Sequence, residues 1–157
     1  MAADNLYQMS SRVAERRFGA RQFRVEPMLA TRAISMQARL FRLAGPAIEH
    51  LGDILRGVGK DKTEEERNMA NASAVQAFVS IFEHTDPDQL SYMVKELAEL
   101  SEVKRPSGNW EKVDFDGDFT GQQGDIIPVI IWICQEQFGD FFSGLPAIGN
   151  PRSQGRD

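Results

Sequence analysis

Hydrophobic positions change period along this chain, and each period predicts a different element. In the segment from Arg12 to Met28, RVAERRFGARQFRVEPM, the apolar residues Val13, Phe18, Phe23 and Val25 are set among charged ones. Alternation at Phe23-Arg-Val-Glu, after the turn signal at Gly19, predicts a small β-hairpin that Pro27 stops. A ribbon this short is marginal alone and needs a helix to cover it. After Pro27 the period lengthens. Ile34, Phe41, Ile48 and Leu55 recur every seven residues, with Ala44, Leu51 and Val58 three residues after the last three, which predicts one apolar stripe from Ile34 to Val58. Gly45-Pro46 falls inside it, and because the stripe keeps its phase across the proline, a kink is expected there. Arg32, Arg39 and Arg42 fall near its solvated margins. Gln37 at a seam position and the shortness of the run argue against a coiled coil.

Gly57 to Lys62 reads as a loop. Thr63 and Glu66 then have the spacing of a capping box, and the helix that follows is predicted to bury Met69, Ala72, Val75, Phe78, Val79 and Phe82. It should end between Glu83 and Thr85. Asp86-Pro87-Asp88-Gln89 restarts a helix, with Asp86 as N-cap and proline at the first helical position. Leu90, Met93, Val94, Leu97 and Leu100 carry its apolar face to about Ser101. Residues 102–112, EVKRPSGNWEK, read as a loop with room for a short strand at Glu102 to Lys104 and with Trp110 as a packing anchor.

The densest apolar run lies in Val113 to Pro146. Every residue from Ile126 to Cys134 is hydrophobic or proline, and Phe138, Phe141 and Phe142 continue at helical spacing. Nine apolar residues are far short of the roughly 20 that span a bilayer. Isoleucine and valine also suit a buried strand, but Pro128 would remove a ladder donor and is tolerated in a helix within its first turn. A core helix from Asp125 to Phe142 is therefore predicted, with the Asp125 carboxylate at the positive end of its dipole. The expected fold is mainly α: a compact bundle of four or five helices with a minor N-terminal β-hairpin. Residues 12–146 form a single helical domain, between a flexible N-terminus at 1–11 and a flexible tail at 147–157.

Charge divides this picture in two. Residues 1–60 hold ten Lys plus Arg against five acids, and residues 61–157 hold eight against eighteen, so net charges of +5 and −10 give the overall −5. Such polarity favours self-association or an acidic partner on the N-terminal part, or neutralisation of one part by the other within the fold. The acidic remainder argues against nucleic acid as a partner despite the arginines. The first residues lack the apolar core of a secretory signal. Cys134 is the only cysteine, which leaves no internal disulfide, and within its apolar run it reads as a structural thiol.

Candidate chemistry adds little. Asp114, Asp116, Asp118 and Asp125 approach the spacing of a calcium loop, but Phe119 stands where the loop's glycine belongs and an aspartate replaces its terminal glutamate. A solvated acidic loop entering a helix is the preferred reading. His50 and His84 belong to no metal or nucleophile motif, and no glycine-rich phosphate loop occurs. No catalytic residue, metal or cofactor is expected, and no membrane span.

Two stretches carry a resemblance to a known family. Phe115, Asp116, Phe119, Gly121, Trp132 and the run Phe138-Gly139-Asp140-Phe141-Phe142 resemble the C-terminal signature of bacteriophage tail assembly chaperones. Phe23-Arg-Val-Glu-Pro-Met28, ahead of an Arg- and Ala-rich helix ending at Leu43-Ala-Gly-Pro46, resembles the start of that pattern. The resemblance implies a non-catalytic protein of the host cytoplasm, absent from the mature virion. Its implied partners are the tape measure protein, whose hydrophobic helices it keeps soluble, and the tail tube protein, whose polymerisation it promotes. That role needs exposed apolar surface. Phe115, Phe119, Phe138, Phe141 and Phe142 are the candidates, and core packing is the alternative role for the same side chains. Other functions open to such a chain are a structural minor tail or connector subunit, or a host-directed adaptor acting through its basic N-terminal part.

Overall fold

A computed structural model describes residues 13–45 and 79–143, with positions 63, 65, 72 and 76 between them; side chains are described as far as residue 139. Strands β1 (Ala14–Phe18) and β2 (Arg21–Val25) form the hairpin that the alternation predicts. Gly19, at φ 58°, takes the first place of its two-residue turn, where a left-handed conformation is required. Helix α1 (Ala30–Ala44) follows, then α2 (Pro87–Ala98), β3 (Ser101–Lys104), β4 (Trp110–Lys112), a short helix α3 (Phe115–Phe119), a 3-10 turn at Gln123–Asp125, and α4 (Ile126–Ser143). The strands make one antiparallel sheet in the order β1-β2-β3-β4.

The mainly α bundle expected from the sequence is thus corrected to a mixed α/β fold. The N-terminal hairpin is not a minor appendage but half of a four-stranded sheet, because β2 pairs with β3 through Phe23↔Val103, Arg24↔Glu102 and Val25↔Ser101. The short strand allowed at Glu102 to Lys104 is β3, and the rest of what reads as a loop with an anchor at Trp110 completes a second hairpin, its turn closed by hydrogen bonds from Arg105 N–H to the Asn109 carbonyl (2.8 Å) and from Gly108 N–H to the Arg105 carbonyl (2.8 Å). The physical reason is plain in β1 (AERRF) and β4 (WEK). Both are edge strands with one solvated face, so charge masks their alternation.

One face of the sheet is packed. Phe23, Val25, Ser101 and Val103, which share a face by register, are all buried, whereas their neighbours Arg24 and Glu102 pair on the other side at 2.6 Å. On the packed side lies α4, begun one residue after Asp125 and with Pro128 in its first turn. Val129, Ile130, Trp132, Ile133, Cys134 and Phe138 are buried on it, together with Met36 of α1 and Met93, Leu97 and Ala98 of α2. Two stripes are rotated from their expected phase. Ile34 is 67% exposed while Met36 is buried, although Ala44 of the expected stripe is buried and Phe41 packs against the core; Val79 and Phe82 are about half exposed while Ile81 is buried. In α1 and in the helical residues 79–84 the buried positions are offset from these bulkier residues.

Asp86 caps α2 as expected, accepting hydrogen bonds from the Asp88 and Gln89 amides at 3.1 and 3.0 Å. At Gly45, with φ 46°, α1 stops. The continuation of its stripe through Ile48, Leu51, Leu55 and Val58, and the positions Met69, Val75 and Phe78, lie outside the described residues. Replacing the fully buried Phe138 with alanine removes a ring from the centre of this packing and is expected to lower unfolding free energy by about 3–5 kcal/mol, read from urea denaturation.

Candidate interaction surface and its charged support

The two stretches that carry the resemblance, nearly a hundred residues apart in sequence, meet in space. Phe23 of β2 stacks on Phe119 of α3, with ring centroids 6.1 Å apart and planes 12° apart. The Arg21 guanidinium lies over both rings, 5.3 Å from the Phe23 centroid and 5.1 Å from that of Phe119. Its nitrogens donate to the Asp118 carbonyl at 2.5 Å and to the Asp125 carboxylate at 2.9 Å. Farther along α4 the Gln137 side chain closes the other end. Its amide donates to the Glu26 carbonyl at 2.7 Å, and its oxygen accepts from the Met28 amide at 3.0 Å. A single glutamine thereby fixes the connector into α1.

Asp118 organises the acidic stretch. Its carboxylate takes both terminal nitrogens of Arg105, one of them at 3.1 Å, and accepts the Asp114 amide at 2.8 Å; Arg105 also donates to Glu111 at 3.0 Å. Burial alone would push the Asp118 carboxyl up, but the hydrogen bonds from Arg105 and the Asp114 amide, with the charges of Arg105 and Arg21, hold it below its ordinary value. The segment that resembled a calcium loop is therefore a short helix whose Asp118 is turned onto arginine. Asp125, read as a dipole partner for α4, bonds Arg21 instead. Among the described residues no cluster of three or more His, Cys, Asp or Glu is placed to hold a metal ion. Cys134 is buried, and desolvation pushes its thiol up to about 12, far from nucleophilic character at neutral pH.

The five candidate phenylalanines are not equivalent. Phe119 and Phe138 are buried at 2% and 1% exposure and belong to the core. Phe115 is half-buried, its ring 5.4 Å from that of Phe119. Phe141 and Phe142 end α4, and their side chains lie outside the described ones. Exposed apolar side chains occur instead at Leu29, Ile34, Val79, Phe82 and Tyr92, the last 73% exposed. Tyr92 borders a groove of about 350 Å³ between α1 and α2, also lined by Arg39, Arg42, Leu43, Met93 and Glu96. Periodicity assigns Ile34, Val79 and Phe82 to buried faces, and Tyr92 carries no signal beyond falling off its helix's apolar stripe.

A family model described as phage tail assembly chaperone protein, TAC, matches residues 19–147, from the β1–β2 turn to just past α4. The chain belongs to this family. No curated protein and no solved structure matches it. The match spans both stretches of the resemblance and the helices between them. In this tail assembly chaperone, the aromatic and acidic residues of those stretches tie the sheet to α4. No helix among the described residues is long and apolar enough to cross a membrane.

Asp118→Asn keeps the shape of the side chain but loses its charge toward Arg105. It is expected to cost about 1.5–3 kcal/mol at neutral pH. Because the folded carboxyl sits below its unfolded value, its contribution is complete above the unfolded value near 3.8 and is lost as pH falls through the lower folded one. Acid unfolding followed by circular dichroism should accordingly show a shallower loss of stability below pH 4 in Asp118→Asn than in the parent.

Proposed function

We propose that this chain is the assembly chaperone of a tape measure protein: it binds that protein's hydrophobic helices in the host cytoplasm, keeps them soluble, and assists polymerisation of tail tube protein around them without catalysing a reaction. Family membership supports the general role. The observation that carries the finer reading is the set of apolar side chains left exposed on helices, Ile34, Val79, Phe82 and Tyr92, with Leu29 just ahead of α1. A protein that covers another chain's apolar helices needs such surface, and it needs to release them, so scattered apolar contacts suit it better than one large dry interface.

Within this reading the candidate phenylalanines divide. Phe119 and Phe138 hold the scaffold, Phe115 adds a half-buried ring beside it, and Phe141 and Phe142 are kept as partner-binding candidates from the sequence. The test is affinity capture of the tagged chain from phage-producing cells, with purified particles examined alongside by mass spectrometry. Recovery of the tape measure and tube proteins, with none of this chain in particles, is the expected result. A stoichiometric complement in particles would make it a structural tail or connector subunit instead.

A further inference from the structure

The groove between α1 and α2 has two walls of different character. Helices α1 and α2 run antiparallel there: Thr85, just ahead of α2, donates to the Leu43 carbonyl near the end of α1, while Glu96 near the end of α2 pairs with Arg39. On α1, Arg32, Arg39 and Arg42 follow one another at spacings of seven and three and share a face. Arg39 is spent, since both its terminal nitrogens bond the Glu96 carboxylate at 2.8 Å. Neither Arg32 nor Arg42 has a hydrogen-bonded acid among the described residues. Leu43, Met93 and the exposed ring of Tyr92 supply the apolar part.

We propose that this groove is the seat for one amphipathic helix of the tape measure protein, which lays an apolar side chain against Leu43, Met93 and Tyr92 and sets a carboxylate against Arg42. The assignment rests on the functional reading above and specifies where, and by what chemistry, the partner is held. Two antiparallel helices present the ridges and grooves that a third helix fills, and α2, at 1.5 Å per residue, gives it a track of about 18 Å. Charge complementarity selects the occupant. Since Glu96 is already neutralised, the charge left along the groove by the described residues is positive, so an acidic flank on the incoming helix is attracted and a basic one repelled. Arginine can take a carboxylate through two parallel hydrogen bonds, which fixes the register of a helix that apolar contact alone would leave free to slide.

The experiment uses the full chain and the tape measure protein encoded with it, co-expressed, with retention of soluble complex and its affinity measured for the parent and for Arg42→Glu, Tyr92→Ala and Arg17→Glu. Arg17 lies on the exposed strand β1, away from the groove, and serves as the control. Arg42→Glu and Tyr92→Ala should each weaken binding at least tenfold and Arg17→Glu less than twofold. A tape measure variant with one acid changed to lysine should recover binding to Arg42→Glu. Unchanged affinity in the two groove variants, while the parent binds, overturns the groove and leaves the chaperone reading standing. Failure of the parent to retain the tape measure overturns both. A change in the chain's own oligomeric state in the groove variants, with tape measure binding unaltered, would assign the groove to a second copy of this chain.

Discussion

A helix that is apolar on nearly all its sides must be covered over most of its surface. From Ile126 to Cys134 α4 carries no charged or amide side chain: Val129, Ile130, Trp132, Ile133 and Cys134 are buried, Ile126, Ile127 and Ile131 are half-buried, and Pro128 in the first turn is exposed. Each fully buried side chain of this size contributes about 1.5–3 kcal/mol when removed from water, so the strongest drive in the fold is to wrap this segment. No neighbouring segment in sequence can do so alone. The sheet covers α4 from one side, where Trp132 meets Phe18 at 5.7 Å, and Met36 of α1 and Met93 and Leu97 of α2 join the same core. The N-terminal hairpin and the C-terminal helix are therefore obliged to meet, and the contacts between them follow from that.

Those contacts explain why the two motif stretches belong together. Arg21 over the Phe23 and Phe119 rings, its bonds to the Asp118 carbonyl and Asp125, and Gln137 across Glu26 and Met28 connect residues about 90 to 110 positions apart. Charge has a specific task here. An exposed ion pair adds little to stability, but the Arg105–Asp118 pair, with the carboxylate largely enclosed and also accepting the Asp114 amide, fixes α3 against the β3–β4 turn. The Phe119 ring of the motif thus serves packing first. Under the proposed function, surface for a partner is left to side chains that the core does not need.

Much of this was legible in the residues. The apolar run with Pro128 at its start located α4 almost to the residue, because proline and a long hydrophobic stretch admit few alternatives. Asp86-Pro87 located the start of α2 for the same reason: capping chemistry is local. The hairpin at Gly19 was also local. What escaped was decided at long range. Nothing near Ser101 to Lys112 reveals that β2 waits to pair with β3, and the charged edge strands hide the period that would have shown a sheet. The exposed Tyr92 and the groove beside it could not be seen either, since a groove belongs to two helices, and the sequence does not state how they are turned. Ile34 shows the same limit: bulk and spacing favoured burial, but the helix settled with Met36 inward.

The proposed function implies a division of labour, in which sheet, α3 and α4 form a braced scaffold and the outward flanks of α1 and α2 are the surface offered to a partner. The most direct test is hydrogen exchange of the full chain with and without the tape measure protein, resolved by peptide mass spectrometry. The account predicts slower exchange in residues 30–44 and 87–98 when the partner is present, with strands β1 to β4 unchanged. Slowing confined to the sheet, with both helices unaffected, would contradict it.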